Sequence, residues 1–381
     1  MLDEIESFLK EKLAFNELSK GVELLKDGKV DDLNSTSERI KEAISFSFDN
    51  EIGLDLFSDV GMETMYEHLH TVNSFVPTGI ERLDDELNGG VHRQSVTVFL
   101  AESNMGKTLI KTAIAANMIL QNKKVTYITF ELSQEYIGER ILKNIFDLSG
   151  NDLKKLSKEE FQEYYKKLCK KMKNLLIIKK YPAGTANANH LKRLLKDLET
   201  KKKFKTDIIF LDYLGIFAAS KVSKTANSND KGIAKCQELE ALSDEFNLPI
   251  VTSAQANRSG YGSSSLDPTN IADAIGIFTE TDVVIAVTQT EEQRELNPPL
   301  FTWQLLKNRF GINKNSFSVG VIYEHMRLIN VDDGNENSPA MNISTTSSQQ
   351  EDSIVNDAVD EISSSLSNSR RKKRNSIIDF N

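Results

Sequence analysis

The chain has 381 residues, 39% hydrophobic and 27% charged, enough apolar material for one large α/β domain or two smaller ones. A net charge of −9 argues against a surface coated by a non-specific nucleic-acid patch, although a groove or ring can still concentrate a few lysines. No apolar run approaches the roughly 18–20 residues that span a bilayer, and the acidic start Met1-Leu2-Asp3-Glu4 lacks signal-peptide order, so a cytoplasmic chain (host cytoplasm if viral) without a membrane partner is expected.

Residues 1–75 read as a helical N-terminal segment and linker. Leu2, Ile5, Leu9 and Leu13 recur at helix spacing, and Gly28 marks a stop. Ser35 with Glu38 forms a capping box ahead of Ile40, Ala43, Ile44 and Phe48. The segment is either a small appendage or a helix that docks on a neighbouring subunit.

Residues 76–330 alternate strand and helix patterns, as a doubly wound sheet requires. Apolar, β-branched runs fall at Ser95–Leu100, Lys124–Phe130, Leu175–Ile178, Asp207–Leu211, Leu248–Ser253, Asp282–Val287 and Leu300–Lys307. Helical stretches lie between several of them, at Leu109–Gln121, Gln134–Leu148, Asn189–Lys201 and Ile233–Phe246. Strands this continuously apolar predict a mostly parallel sheet buried on both faces. Cys169 and Cys236, far apart, read as free thiols, and no Cys/His cluster offers a zinc site.

From about residue 331 Ser, Asn, Asp and Gln dominate, which predicts a disordered polar tail to residue 381. Near its end stand the basic run Arg370-Arg371-Lys372-Lys373-Arg374 and the tip Ile377-Ile378-Asp379-Phe380. That tip is either solvated or a tethered peptide that docks on a partner.

The chemistry centres on Ala101-Glu102-Ser103-Asn104-Met105-Gly106-Lys107-Thr108, a P-loop (Walker A) pattern between a strand and a helix. Backbone N–H groups of such a turn, with the helix N-terminus, cradle phosphates. Lys107 would neutralise β/γ-phosphate charge and Thr108 would hold Mg²⁺. Alanine replaces the motif's first glycine, which is acceptable only at negative φ.

Asp212 ends the apolar run Ile208-Ile209-Phe210-Leu211, at the strand edge facing the same crevice, and is expected to bind the Mg²⁺ shell. Glu131 ends another strand and suits polarisation of an attacking water; the plainer reading is an acid at a helix start capped by Ser133. Gln255 closes a third strand, where a neutral amide can sense a γ-phosphate and signal to the Gly- and Ser-rich loop Arg258–Asn270. Lys307 and Arg309 read either as solvated cations or as fingers reaching the γ-phosphate on a neighbouring subunit. The loop Ala218–Gly232, with Lys221, Lys224 and Lys231, reads either as an ordinary disordered surface loop or, together with Arg258, as a grip on a nucleic-acid phosphate backbone without sequence readout.

Taken together these segments resemble DnaB-type replicative helicases. The entry segments Phe75-Val76-Pro77-Thr78-Gly79 and Leu87-Asn88-Gly89-Gly90, the phosphate turn (where that family also tolerates alanine first) and Phe130-Glu131-Leu132-Ser133 with Arg140 are similar to theirs. So are Asp212-Tyr213-Leu214, Ala254-Gln255-Ala256-Asn257-Arg258 and Lys307-Asn308-Arg309, all in family order across roughly 75–330.

The resemblance implies a RecA-like ATPase fold and a homo-oligomer, a hexameric ring on single-stranded and forked DNA. It further implies ATP and Mg²⁺ as substrate and cofactor, Arg140 among the nucleotide-binding residues, and primase, a helicase loader or other replisome proteins as partners. Only about 75 residues precede the motor, where the family usually carries a larger collar domain that engages primase. The length and polar tail are closer to helicases of T-even-like phages. A RecA-like recombination ATPase would share the fold and first motifs but not Lys-Asn-Arg; a hydrolysis-poor regulatory subunit is the other alternative.

Overall fold

The computed structural model describes residues 2–26, 36, 39, 40, 43, 53–70, 74–220, 227–256, 275–311 and 315–331. It divides into two compact units, residues 1–71 and 72–381. In the first, Leu2–Lys26 forms one helix, as the apolar spacing predicts, and Asp59–His70 forms another. Phe8, Phe15, Leu18 and Leu25 of the first helix are exposed. The expected stop at Gly28 and the Ser35–Glu38 cap lie outside the described residues.

In the second unit, β1 (Phe75–Val76) pairs antiparallel with β2 (Val91–His92) at the entry to the sheet. The parallel strands are β3 (Val96–Ala101), β4 (Val125–Thr129), β5 (Leu176–Lys180), β6 (Ile208–Asp212), β7 (Ile250–Gln255) and β8 (Val283–Thr288). An antiparallel extension follows: β9 (Leu300–Asn308), β10 (Ser316–Ile322) and β11 (Arg327–Asn330). The nine strands lie in the order β11-β10-β9-β8-β3-β7-β6-β4-β5.

Alternation along each parallel strand builds two cores. Phe99 and Ala101 of β3, Phe210 of β6 and Ile285 of β8 face one, with Ile110, Ala113 and Ile114 of the helix Lys107–Leu120. Val98 and Leu100, Leu211 and Ala286 face the other, with Cys236 and Leu239 of the helix Ser228–Phe246. A sheet apolar on both faces must be covered on both, which is why its strands lack polar alternation. Each large side chain fully buried this way contributes about 1.5–3 kcal/mol.

Every strand and helix anticipated between residues 95 and 307 is present, with ends moved by a few residues. Unforeseen were β10, whose Ser316 and Ser318 interrupt its apolar run, and the four-residue edge strand β11. Also unforeseen were the helices Gly150–Lys155 and Lys158–Met172. Only Tyr164 and Leu168 of the latter are buried, so its apolar stripe is too narrow to stand out, although Ser157 and Glu160 close a reciprocal capping box. The tail from residue 332 lies outside the described residues, and among those described no helix is long and apolar enough to cross a membrane.

Candidate nucleotide site

Parallel strands bring their carboxyl ends to one edge, and the register states which residues meet there. Ala101 pairs with Gln255 and Thr129 with Asp212, so the phosphate turn, Glu131, Asp212 and Gln255 leave the sheet at the same level. They surround a cavity of about 330 Å³. Ser103, Asn104, Gly106, Lys107, Thr108 and Leu109 form one wall, and Glu131, Arg140, Asp212, Tyr213 and Gln255 the rest. Ala101, Glu102 and Met105 of the turn are not in its lining.

Ala101 is the last residue of β3, and its φ is not among the positive ones, so alanine carries no backbone strain there. Gly106 caps the following helix at φ +81°, and a Cβ would stand 3.2 Å from the Phe301 ring. The positive φ favours glycine there, and any side chain would press on the Phe301 ring. Asn104 also adopts positive φ, 65°, which asparagine tolerates best after glycine.

Lys107 folds back over the turn, its Nζ donating to the carbonyls of Ala101 at 3.1 Å and Glu102 at 2.6 Å. Burial, with the positive charge of Lys111 nearby, brings Lys107 down to about 8. Gln255 donates through Nε2 to Ser103 Oγ at 3.0 Å, linking the end of β7 to the turn. The Glu131 segment combines a helix cap with a place at the cavity. Ser133 caps the helix Gln134–Phe146 by accepting from the Tyr136 N–H, and Glu131 itself borders the cavity.

Sequence reasoning missed Lys111. It lies one helical turn past Lys107 with 0% exposure, donating to Asp212 Oδ1 at 2.6 Å and to Ser253 Oγ. Asp212, 2% exposed, accepts also from the Tyr127 hydroxyl at 3.2 Å. Burial pulls the Lys111 ammonium below its usual range, against the field of Asp212. Breaking such a buried pair from one side typically costs about 3–5 kcal/mol. The signal was present, a lysine set in the apolar run Leu109-Ile110-Lys111-Thr112-Ala113-Ile114.

Lys307 and Arg309 stand elsewhere. β9 runs antiparallel to β8, so Asn308 pairs with Val283, and Asp282 meets the amino end of β3 at Val96. Five residues of strand, roughly 17 Å at 3.4 Å each, separate that end from the turn. Lys307 Nζ donates to the carbonyls of Phe278 at 2.8 Å and Thr279 at 2.9 Å, and Arg309 ion-pairs with Asp282. Neither cation meets the cavity of its own chain.

Of the four DNA-contact candidates, Lys221, Lys224 and Arg258 lie outside the described residues, as does the loop Arg258–Asn270. Lys231 is described and exposed, but it is not in a loop. Asn227 accepts from the Asp230 N–H at 2.8 Å while Asp230 accepts from the Asn227 N–H at 3.2 Å, and this capping box starts the helix at Ser228, before Lys231. The expected loop 218–232 is therefore shorter at its carboxyl side.

The oxygen donors lining the cavity that could serve a divalent cation include Thr108, Glu131 and Asp212. No group of three or more His, Cys, Asp or Glu gathers for one among the described residues. That donor set fits Mg²⁺, which keeps its waters and is shared between one or two protein oxygens and substrate phosphates.

A doubly wound sheet with a phosphate-type turn, two carboxylates and an amide at one edge defines a RecA-like α/β fold. A family model for the DnaB-like helicase C terminal domain matches residues 75–325. The chain belongs to that family, and membership supports a general helicase and ATPase function. It is 29% identical over 349 residues to a DnaB-like replicative helicase of Enterobacteria phage T4, covering 87% of this chain and 72% of the relative. With the replicative DNA helicase DnaB of Helicobacter pylori it shares 25% identity over 214 residues, 55% of this chain and 43% of that one. A solved DnaB-like replicative helicase, studied with its primase interactions, superposes with a TM-score of 0.59 at 15% identity, covering 86% of this chain and 78% of that one, which bears on the fold alone.

Proposed function

We propose that the chain is an ATP-dependent replicative DNA helicase motor that hydrolyses ATP between subunits of a ring, hexameric as the family resemblance implies, to translocate on single-stranded DNA and unwind duplex. The observation that supports this best is the separation just described. Lys107, Thr108, Glu131, Asp212 and Gln255 share one cavity, while Lys307 and Arg309 sit at the opposite end of β3.

In this reading the turn's N–H groups and Lys107 bind the phosphates, Lys107 leaving its two carbonyl partners to do so. Bound Mg²⁺ would supply charge neutralisation at the β/γ-phosphates. Thr108 and Asp212 hold its position. Glu131 orients the attacking water and takes up its proton in the in-line displacement. Gln255 reports the γ-phosphate to β7 and to the loop beyond it. Arg140 contributes a cation to the nucleotide's side of the cavity. Lys307 and Arg309, from the neighbouring subunit, stabilise the charge that develops in transfer.

Residues 76–330 form the motor on this reading, 1–75 the oligomer-facing segment and 331–381 a tether whose tip docks a primase, a loader or another replisome protein. Lys221, Lys224, Lys231 and Arg258 grip the DNA backbone. Unwinding of a forked duplex by the purified chain with ATP and Mg²⁺ tests the proposal, Lys107→Ala serving as the inactive control. DNA-stimulated hydrolysis without strand separation under any loading condition would overturn it, and filaments on single strands in place of rings would select a strand-pairing ATPase.

A further inference from the structure

A fully buried ammonium is held in its charged form only by what it touches. Lys111 touches two strands at once. On β6 it meets Asp212 Oδ1, and on β7 it meets Ser253 Oγ. The other oxygen of Asp212 is engaged by Tyr127, from β4. Ser253 precedes Gln255 by two residues, on the same β7 strand, and Gln255 contacts the phosphate turn at Ser103. The metal-side carboxylate and the phosphate-sensing amide are thus joined through one side chain, which belongs to the helix that begins at Lys107.

We propose that Lys111 is a positioning residue that aims the Asp212 carboxylate at the hydration shell of nucleotide-bound Mg²⁺ and makes that aim depend on the placement of β7. The inference rests on the nucleotide site proposed above. A carboxylate that works through water must be directed, because a rotated one offers its lone pairs elsewhere. Two contacts at its two oxygens lock Asp212 against rotation, and its four lone-pair sites leave two for water. The ammonium also offsets the carboxylate's charge, so Asp212 orients the metal's water shell without stripping it.

The test compares binding of a fluorescent non-hydrolysable ATP analogue to the full chain in Mg²⁺ and in EDTA. In Lys111→Met the metal-free affinity should stay close to wild type, while the extra affinity conferred by Mg²⁺ falls about tenfold or more, the scale on which metal sites lose affinity when an orienting partner is removed. Equal loss with and without metal indicates a merely structural lysine and overturns the proposal, as does an unchanged Mg²⁺ gain. If that variant does not fold, Ser253→Ala keeps the ion pair and removes only the tie to β7. It should lower the Mg²⁺ gain while the metal-free affinity stays close to wild type, and an undiminished gain overturns the proposal. A wild-type chain that binds the analogue no better with Mg²⁺ would instead sink the nucleotide-site reading itself.

Discussion

Arg309 is anchored to Asp282 at its base and open at its surface. The carboxylate is 2% exposed and the guanidinium 64%, while Asp282 also accepts from the Val96 N–H at 3.0 Å. A cation held this way is aimed outward from the amino end of β3. If it serves a neighbouring cavity, Arg309→Ala should bind nucleotide almost normally yet hydrolyse it about a thousandfold more slowly. Mixing it with Glu131→Gln subunits should recover part of the activity, since some interfaces then pair an intact Arg309 with an intact Glu131. No recovery in mixtures that still co-assemble would rule out action across the interface. Because Asp282 loses its ion-pair partner, Arg309→Lys is the control for stability.

Lys107 and Glu131 should separate binding from chemistry. Lys107→Ala removes the ammonium over the phosphate turn and should weaken nucleotide affinity and abolish turnover together. Glu131→Gln should retain affinity and lose roughly a hundredfold to ten-thousandfold in kcat, the range for a missing general base. Equilibrium binding beside steady-state hydrolysis reads both, and normal turnover by either variant would show that its role is misassigned.

Glu240 predicts a pH dependence. Burial, with the charge of Asp282 and a hydrogen bond to it, raises this carboxyl from 4.5 to about 8. A folded value above the unfolded one contributes stability that is complete below about 4.5 and is lost as pH rises through about 8. Glu240→Gln keeps the shape and removes the titration. Denaturant unfolding at pH 6 and pH 9 should show wild type losing stability relative to the variant; parallel curves would refute the assignment.

The two cysteines should differ sharply. Cys169 is exposed, whereas Cys236 is buried and its thiol is pushed up to about 12. A maleimide at pH 7.5 should label the native chain at Cys169 only, and Cys236 only after unfolding. Peptide mapping reads this directly, and native labelling of Cys236 would mean that the helix Ser228–Phe246 opens readily.

Most of the sheet was legible because strands covered on both faces write their burial into consecutive residues, as Ile208-Ile209-Phe210-Leu211 does before Asp212. The chemical positions were legible for a related reason: parallel strands end together, so polar residues closing apolar runs must meet. Sequence was weak where burial alternates or is sparse. The strand Ser316–Ile322 mixes serine with valine, and Lys158–Met172 buries only Tyr164 and Leu168. Lys111 escaped notice because lysine on a helix is normally solvated. Its role depends on Asp212 and Ser253, which are distant in sequence, and no local pattern carries that information. The small, polar neighbours of Lys231 read as a loop, and the Asn227–Asp230 cap outweighs them.

The opposed placement of Arg309 and the Lys107 turn, at the two ends of β3, also limits how copies of this chain can be arranged. If one end of each subunit serves the other end of the next, every junction has two unlike sides. A two-fold pair could use both ends only by lying antiparallel, each finger in the other copy's cavity. A head-to-tail series uses them one junction at a time, and it either closes by rotation or grows without limit. Any open series carries one unserved cavity and one unused finger. In such a series closure would be worth one additional working site, and opening it would silence one site for as long as the gap persisted.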